Sequence, residues 1–263
     1  MQPNLTLTEG DIHLWVCFAD KIQSSELLER YKTLLTAEET AKQQRYKFAK
    51  DQHSALVTRA FVRDLLSRYA DVAPEDWRFE KGEKDKPELV NAPLPLRFNL
   101  SHTDGLIACA VTLNDDIGCD VENIERNNDV LSIADRYFSP IETRELFSLP
   151  ADQQRCRFFD YWTLKESYIK AWGLGLAIPL DDFSFHIAPR TDTPINPDIR
   201  MSFAPHRVDF PHVWRSWLFY PSEKHRMALS LRTNSDRKTT DYRLTLMQSV
   251  PLISHEPISL PWQ

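Results

Sequence analysis

Hydrophobic and polar positions along this chain fall into short apolar runs and helical stripes, and both patterns occur in each half. The first run, Ile12-His13-Leu14-Trp15-Val16-Cys17-Phe18, is apolar at nearly every position and predicts a mostly buried opening strand. Residues 27–35 carry apolar positions at helical spacing, and Thr36 followed by Glu38 and Glu39 marks the start of another helix. The clearest helix spans 51–69. Leu56, Phe61, Leu65, Leu66 and Tyr69 form its apolar stripe, with Arg59, Arg63 and Arg68 expected on the other side. Pro74, Gly82, Pro87, Pro93 and Pro95 punctuate a loop-rich stretch with a short strand at 77–79. Residues 106–113 and 117–124, separated by the turn Asn114-Asp115-Asp116, predict a hairpin. Two short helices follow at 130–138 and 141–149, the second opened by Ser139-Pro140, then a long helix at 155–172 stopped by Gly173. Strands are expected at 183–186, 214–220, 227–231 and 242–247. Each half thus offers one long helix and several strands, with no sequence repeat visible by eye.

At 263 residues the chain can form one large domain or two modest ones with real cores. Its 42% hydrophobic and 27% charged residues are ordinary for a soluble globular protein. A formal net charge of −6 argues against nucleic acid as a partner, and leaves capture of any acidic protein to a local basic or apolar patch. Cys17, Cys109, Cys119 and Cys156 are scattered, without zinc-site or disulfide-scaffold spacing, so reduced thiols are expected. The N-terminus lacks a signal-like pattern, and no run of about 18 apolar residues occurs. A cytoplasmic protein without membrane contact is the expectation.

Asp120 and Glu122 are two apart in a strand-like stretch, so both point to one face, about 7 Å apart at the α-carbons. Carboxylates that close repel, and unless they face open water a cation normally lies between them. A hard divalent ion such as Mg²⁺ fits, with waters and a substrate phosphate completing its shell. Glu166 has Lys170 one turn later on the same helical side, which adds a third carboxylate and an ammonium. The plainer alternatives are solvent-facing charges on an edge strand and a surface ion pair contributing roughly a few tenths of a kcal/mol. Lys165 reads as a solvated neighbour, with a phosphate contact as the alternative. Lys42, Arg45, Lys47 and Lys50 form a basic cluster that by itself needs to be no more than a wet helix face. Ser101 and His102 are adjacent, so a strand points them apart, and they make a poor nucleophile–base pair.

Three segments carry a family resemblance. Phe98-Asn99-Leu100-Ser101-His102-Thr103, Ile117-Gly118-Cys119-Asp120-Val121-Glu122 and Tyr161-Trp162-Thr163-Leu164-Lys165-Glu166-Ser167-Tyr168-Ile169-Lys170 occur in this order. They resemble the signature blocks of the Sfp-type 4′-phosphopantetheinyl transferases. Gly173-Leu174-Gly175-Leu176, Ile178-Pro179-Leu180-Asp181 and Phe183-Ser184 extend the likeness, which runs from Thr36 to Phe185. The resemblance implies an α+β fold of two similar pseudo-two-fold-related subdomains with the active site at their interface. In that division 1–114 carries the basic residues for coenzyme A, 115–232 the metal and catalytic residues, and 233–263 is a C-terminal extension.

The resemblance further implies that Asp120, Glu122 and Glu166 hold Mg²⁺, or Mn²⁺, against the pyrophosphate of coenzyme A. Glu166 would also act as general base, and Lys170 would contact phosphate and stabilise the leaving group. Lys42, Arg59, Lys86, Ser101 and His102 would meet the remaining phosphates. Two positions depart from the family pattern: Asp85 replaces a glycine before Lys86-Pro87, and Glu39 stands where a cation is expected. The implied reaction moves the phosphopantetheine arm of coenzyme A onto a serine of an apo acyl or peptidyl carrier protein, releasing 3′,5′-ADP. A monomer would suffice, since one chain is long enough for both halves of the site. Residues 130–138 are the expected carrier platform, or else core. Competing readings are a metal-dependent pyrophosphohydrolase of coenzyme A-like nucleotides and a coenzyme A-binding scaffold of low activity.

Overall fold

The computed structural model describes residues 5–82, 86–189 and 194–258. The first half holds β1 (Asp11–Cys17), α1 (Ser25–Lys32), α2 (Ala37–Gln44), α3 (Ala49–Leu66), β2 (Phe79–Lys81), β3 (Pro87–Leu89), β4 (Leu96–Thr103) and β5 (Leu106–Leu113). Then come β6 (Asp116–Asn123), α4 (Val130–Tyr137), α5 (Pro140–Ser148) and α6 (Ala151–Trp172). The chain continues through β7 (Phe183–Ile187), β8 (Ile195–Phe203), β9 (Trp214–Ser222), β10 (His225–Arg232), β11 (Arg243–Val250) and β12 (Ser254–Pro257).

Two five-stranded sheets result, ordered β12-β11-β1-β5-β4 and β6-β10-β9-β8-β7, beside the small β2–β3 pair. The same route is followed twice. A first strand (β1, β6) leads to a long helix (α3, α6) and then to an antiparallel hairpin (β4–β5, β9–β10). The returning strand of each hairpin pairs antiparallel with the first strand. The expected α+β fold of two similar subdomains is present as a repeat of topology.

Helix α3 covers one face of the first sheet, packing Leu56, Phe61 and Leu65 into a cluster with Trp15, Cys109 and Val111. Helix α6 covers the second sheet, with Leu164 and Tyr168 clustered with Leu218, Tyr220 and Ala228. The two remaining faces meet in a third cluster, where Leu14, Val16, Leu106 and Ala108 join Cys119, Val121, Phe219 and Leu229. Alternate residues of β5 thus serve different cores, and every position of Leu-Ile-Ala-Cys-Ala-Val-Thr-Leu is buried.

Several expectations change. Residues 106–113 and 117–124 do form strands, but not a hairpin. β5 pairs with β1 and β4, and β6 pairs with β10, so the turn at 114–116 carries the chain from one sheet to the other. Arg63 and Arg68 do not face solvent; they are 1% and 8% exposed. Arg63 donates to the carbonyls of Pro74 and Trp77 and to Glu39, because the loop before β2 covers that side of α3. Arg68 pairs with Asp64 one turn earlier. Lys165 is not solvated either. It is fully buried, bridging Glu142 at 2.7 Å and donating to the carbonyls of Leu180 and Phe183.

The segment after 233 returns to the first sheet, where β11 runs parallel to β1. Across 130–138, Val130 and Phe138 are core while Tyr137 is 46% exposed. All four cysteines are free thiols, and Cys17, Cys109 and Cys119 are buried. Among the described residues no helix is long and apolar enough to cross a membrane.

Candidate active site

Strands β4 and β6 are edges of their respective sheets and lie side by side. Polar side chains of β4 join them at a period of two. Asn99 Oδ1 accepts from the Cys119 N–H at 2.9 Å, Ser101 Oγ from Val121 N–H at 3.3 Å, and Thr103 Oγ1 from Asn123 N–H at 3.1 Å. Asn-x-Ser-x-Thr therefore satisfies N–H groups that an edge strand leaves bare, and it fixes β6 against the first sheet.

Helix α6 crosses β6 at Gly118. A Cβ there would sit 2.0 Å from the Ser167 carbonyl oxygen and 2.4 Å from the Ala171 nitrogen, so the close approach requires glycine. Two residues on, Asp120 meets the helix. Its Oδ1 accepts from Lys170 Nζ at 2.6 Å and from Ser101 Oγ at 2.9 Å, and Lys170 also donates to Ser101 at 3.0 Å. The helix stops at Gly173, whose φ of +77° forms a left-handed cap.

A cleft of about 790 Å³ opens where α2, α3, β4, β6 and α6 converge. Lys42, Arg59, Ser101, His102, Asp120, Glu122 and Lys170 line it, drawn from both halves of the chain. Lys50 of the basic cluster lines it too, whereas Arg45 and Lys47 do not. Ser101 is committed: its hydroxyl donates to Asp120 and accepts from Lys170 and Val121, which leaves no donor for a phosphate.

Two nominated residues are not in the lining. Lys86 instead donates to the carbonyls of Lys170 and Ala171 at 2.9 and 3.3 Å, neutralising the C-terminal end of α6. Glu166 lies one turn before Lys170 on α6 and is half-buried. Glu39, in the place of an expected cation, closes a capping box with Thr36 and binds Arg63 at 2.8 Å. Asp85 lies outside the described residues. Tyr46 and Arg126 line the cleft without having been nominated. Arg126 pairs with Glu122, and its only sequence signal was a four-residue separation that means nothing outside a helix.

Comparison with known proteins matches this chain over both halves. A family model described as the 4'-phosphopantetheinyl transferase superfamily covers residues 116–230, and one described as 4'-phosphopantetheinyl transferase, N-terminal, covers 23–114. The 4'-phosphopantetheinyl transferase HetI of Nostoc sp. is 36% identical over 71% of this chain and 78% of its own. This chain belongs to the 4'-phosphopantetheinyl transferase family. The transferase Sfp of Bacillus subtilis is 30% identical, over 74% of this chain and 92% of its own. A holo-(acyl-carrier-protein) synthase from Bacillus anthracis, crystallised in complex with CoA (3',5'-ADP), aligns with a TM-score of 0.34. It is 17% identical over 46% of this chain and 96% of that one, a likeness on which nothing here rests.

The carboxylates of this family member are short of positive charge. Glu166 is pushed up to about 7 by burial and then by Asp120 and Glu122, against the pull of Lys170. Burial and Asp120 raise Glu122 as well, with Arg126 opposing. Burial works against the charge on Lys170, but Asp120, Cys119 and Glu166 together outweigh it and raise its pKa. His102 keeps a wet edge at the cleft, yet partial burial and the charges of Lys170 and Arg59 lower it. Asp120 Oδ2 is buried with no hydrogen-bond partner, a rare state for a carboxylate oxygen. Among the described residues no three acidic, histidine or cysteine side chains are already gathered as a cation cage. The donor set still fits a hard divalent ion: all oxygen, with one orphaned atom and room beside it for a phosphate.

Proposed function

We propose that this protein transfers the 4′-phosphopantetheine arm of coenzyme A to a serine hydroxyl of an apo acyl or peptidyl carrier protein, releasing 3′,5′-ADP. The observation that carries the reading is the half-buried Lys170–Asp120–Ser101 contact beside Glu122 and Glu166, set in the wall of a cleft that also holds Lys42, Arg59 and His102. Lys42 and Arg59 grip the phosphates, with the His102 ring as a hydrogen-bonding partner, and together they orient the pyrophosphate toward Lys170. Asp120, Glu122 and Glu166 are the residues that would hold Mg²⁺ or Mn²⁺, whose charge neutralises the pyrophosphate as its electrons shift to the leaving oxygen. Glu166 takes the proton of the carrier serine. The serine oxygen bonds to the β-phosphorus, the bond from that phosphorus to the 3′,5′-ADP oxygen breaks, and Lys170 stabilises the charge on the leaving group. One chain supplies both walls of the cleft, so a monomer suffices.

Incubation with coenzyme A, Mg²⁺ and a panel of apo carrier proteins, followed by intact-mass measurement, tests this. The expected result is a carrier heavier by one phosphopantetheinyl group, abolished by EDTA. Cleavage of coenzyme A without any carrier would replace the transferase reading with the pyrophosphohydrolase, and binding without turnover would replace it with the scaffold.

A further inference from the structure

Residues 124–128 leave β6 and run along the N-terminal part of α6, where Arg155 holds their backbone. Its guanidinium donates to the carbonyls of Ile124 at 2.7 Å and Asn128 at 3.2 Å, and also to that of Arg126. It is itself stacked over Phe159. The Arg126 main chain is thereby pinned at the cleft rim, while its side chain, 55% exposed, turns back to Glu122 Oε2.

Among the described residues, two cations are bonded to the three carboxylates: Lys170 to Asp120 and Arg126 to Glu122. Arg226, opposite Glu122 on β10, is committed to Asp160 at 3.0 Å. A divalent ion would add two positive charges to the same group, and one side-chain cation becomes surplus. Lys170 is 28% exposed and shared with Ser101, so releasing it strands a buried carboxylate and a hydroxyl. The Arg126 guanidinium holds Glu122 alone and is already mostly in water, where an ion pair is exchanged for hydration at little cost.

We infer that Arg126 is a built-in counter-cation, which occupies Glu122 in the ion-free protein and gives that carboxylate up when a divalent ion binds. It is a positioning residue: it neutralises Glu122 and keeps it turned toward the cleft, and it competes with the ion for the same oxygen. The inference rests on the metal reading proposed above.

Titration of Mn²⁺ into the coenzyme A-free full chain, with free ion read by electron paramagnetic resonance, separates the two. Arg126→Gln is expected to bind Mn²⁺ about two- to fivefold more tightly, the range for deleting an exposed competing ion pair. Arg126→Lys returns the affinity toward that of the unaltered protein. Arg136→Gln, which removes an exposed arginine of α4 outside the cleft, leaves it unchanged. Unchanged or weaker binding by Arg126→Gln, or equal tightening by Arg136→Gln, overturns the exchange while leaving the metal reading intact. If the unaltered protein binds no Mn²⁺, the metal reading falls and the exchange falls with it.

Discussion

Glu166 is half-buried beside two other carboxylates, and its carboxyl is pushed up to about 7 from an ordinary 4.5. A carboxyl whose folded pKa lies above its unfolded one binds its proton more strongly in the folded state. Its burial therefore costs nothing below 4.5, and stability is lost as pH rises from there through 7. In the metal-free protein Glu166→Gln should match the parent near pH 4 and exceed it at pH 8 by up to about 3 kcal/mol, read from urea midpoints. Equal midpoints at both pH values would remove Glu166 from the carboxylate group. The same substitution, like Asp120→Ala and Glu122→Ala, should abolish most carrier modification while circular dichroism stays native; near-normal turnover in any of the three would undo the assignment. Lys165 behaves in the opposite sense. Its ion pair with Glu142 is wholly buried, so Lys165→Met should cost about 3–5 kcal/mol, an uncompensated buried charge being left behind. A loss below 1 kcal/mol, roughly what a surface pair contributes, would put Lys165 back in solvent. The adjacent pair Lys165-Glu166 shows what one sequence reveals about residues. The acidic residue was legible because a helical turn links it to Lys170. The lysine was misread because lysines are usually exposed, and its partner lies on another helix.

At the scale of elements, local signals carried well. Ser139-Pro140 opens α5 with a capping box to Glu142, Thr36 does the same for α2 with Glu39, and Gly173 closes α6. Residues 106–113 form a strand with those bounds. Pairing was not legible, because an apolar run buried on both faces says nothing about its neighbours, and two strands joined by a tight turn look like a hairpin. The contact of α6 with β6 belongs to the same class of hidden information. Gly118 stood out as a residue before the acidic pair, but its reason is a helix backbone within 2.0 Å of where a Cβ would be. Gly118→Ala should push α6 outward, separating Lys170 and Glu166 from Asp120. The expected cost is about 1–3 kcal/mol or more in stability, with carrier modification falling further than folding does. Thermal unfolding and turnover per folded molecule measure the two effects separately. A variant with parental melting temperature and turnover would mean that the helix does not bear on β6 at this point.

For the whole molecule the decisive fact is that the cleft has walls from both sheets. Lys42, Arg59 and His102 come from the first half, and Asp120, Glu122 and Lys170 from the second. Anything that loosens the first sheet therefore reaches the chemistry. The strand-like run near 242–247 was visible in the sequence, but nothing local could show that it inserts beside β1, because a parallel partner can lie any distance away in the chain. The pairing runs in register from Asp11 opposite Arg243 to Val16 opposite Gln248, and it makes β1 an internal strand. Tyr242 adds a tie to the turn between the sheets, donating to Asp115 at 2.5 Å, while Leu246 and Met247 are buried in two different cores. Deleting the chain after Lys238 removes all of this and leaves β1 with an unpaired edge above an opened core. The shortened protein should unfold without a cooperative urea transition, aggregate on concentration and show no coenzyme A binding, although every residue nominated for the site is retained. Sedimentation and urea unfolding of the truncated chain decide the matter. A soluble protein with the parental midpoint would mean that the first sheet is complete at β1, and that β11 and β12 only cover it.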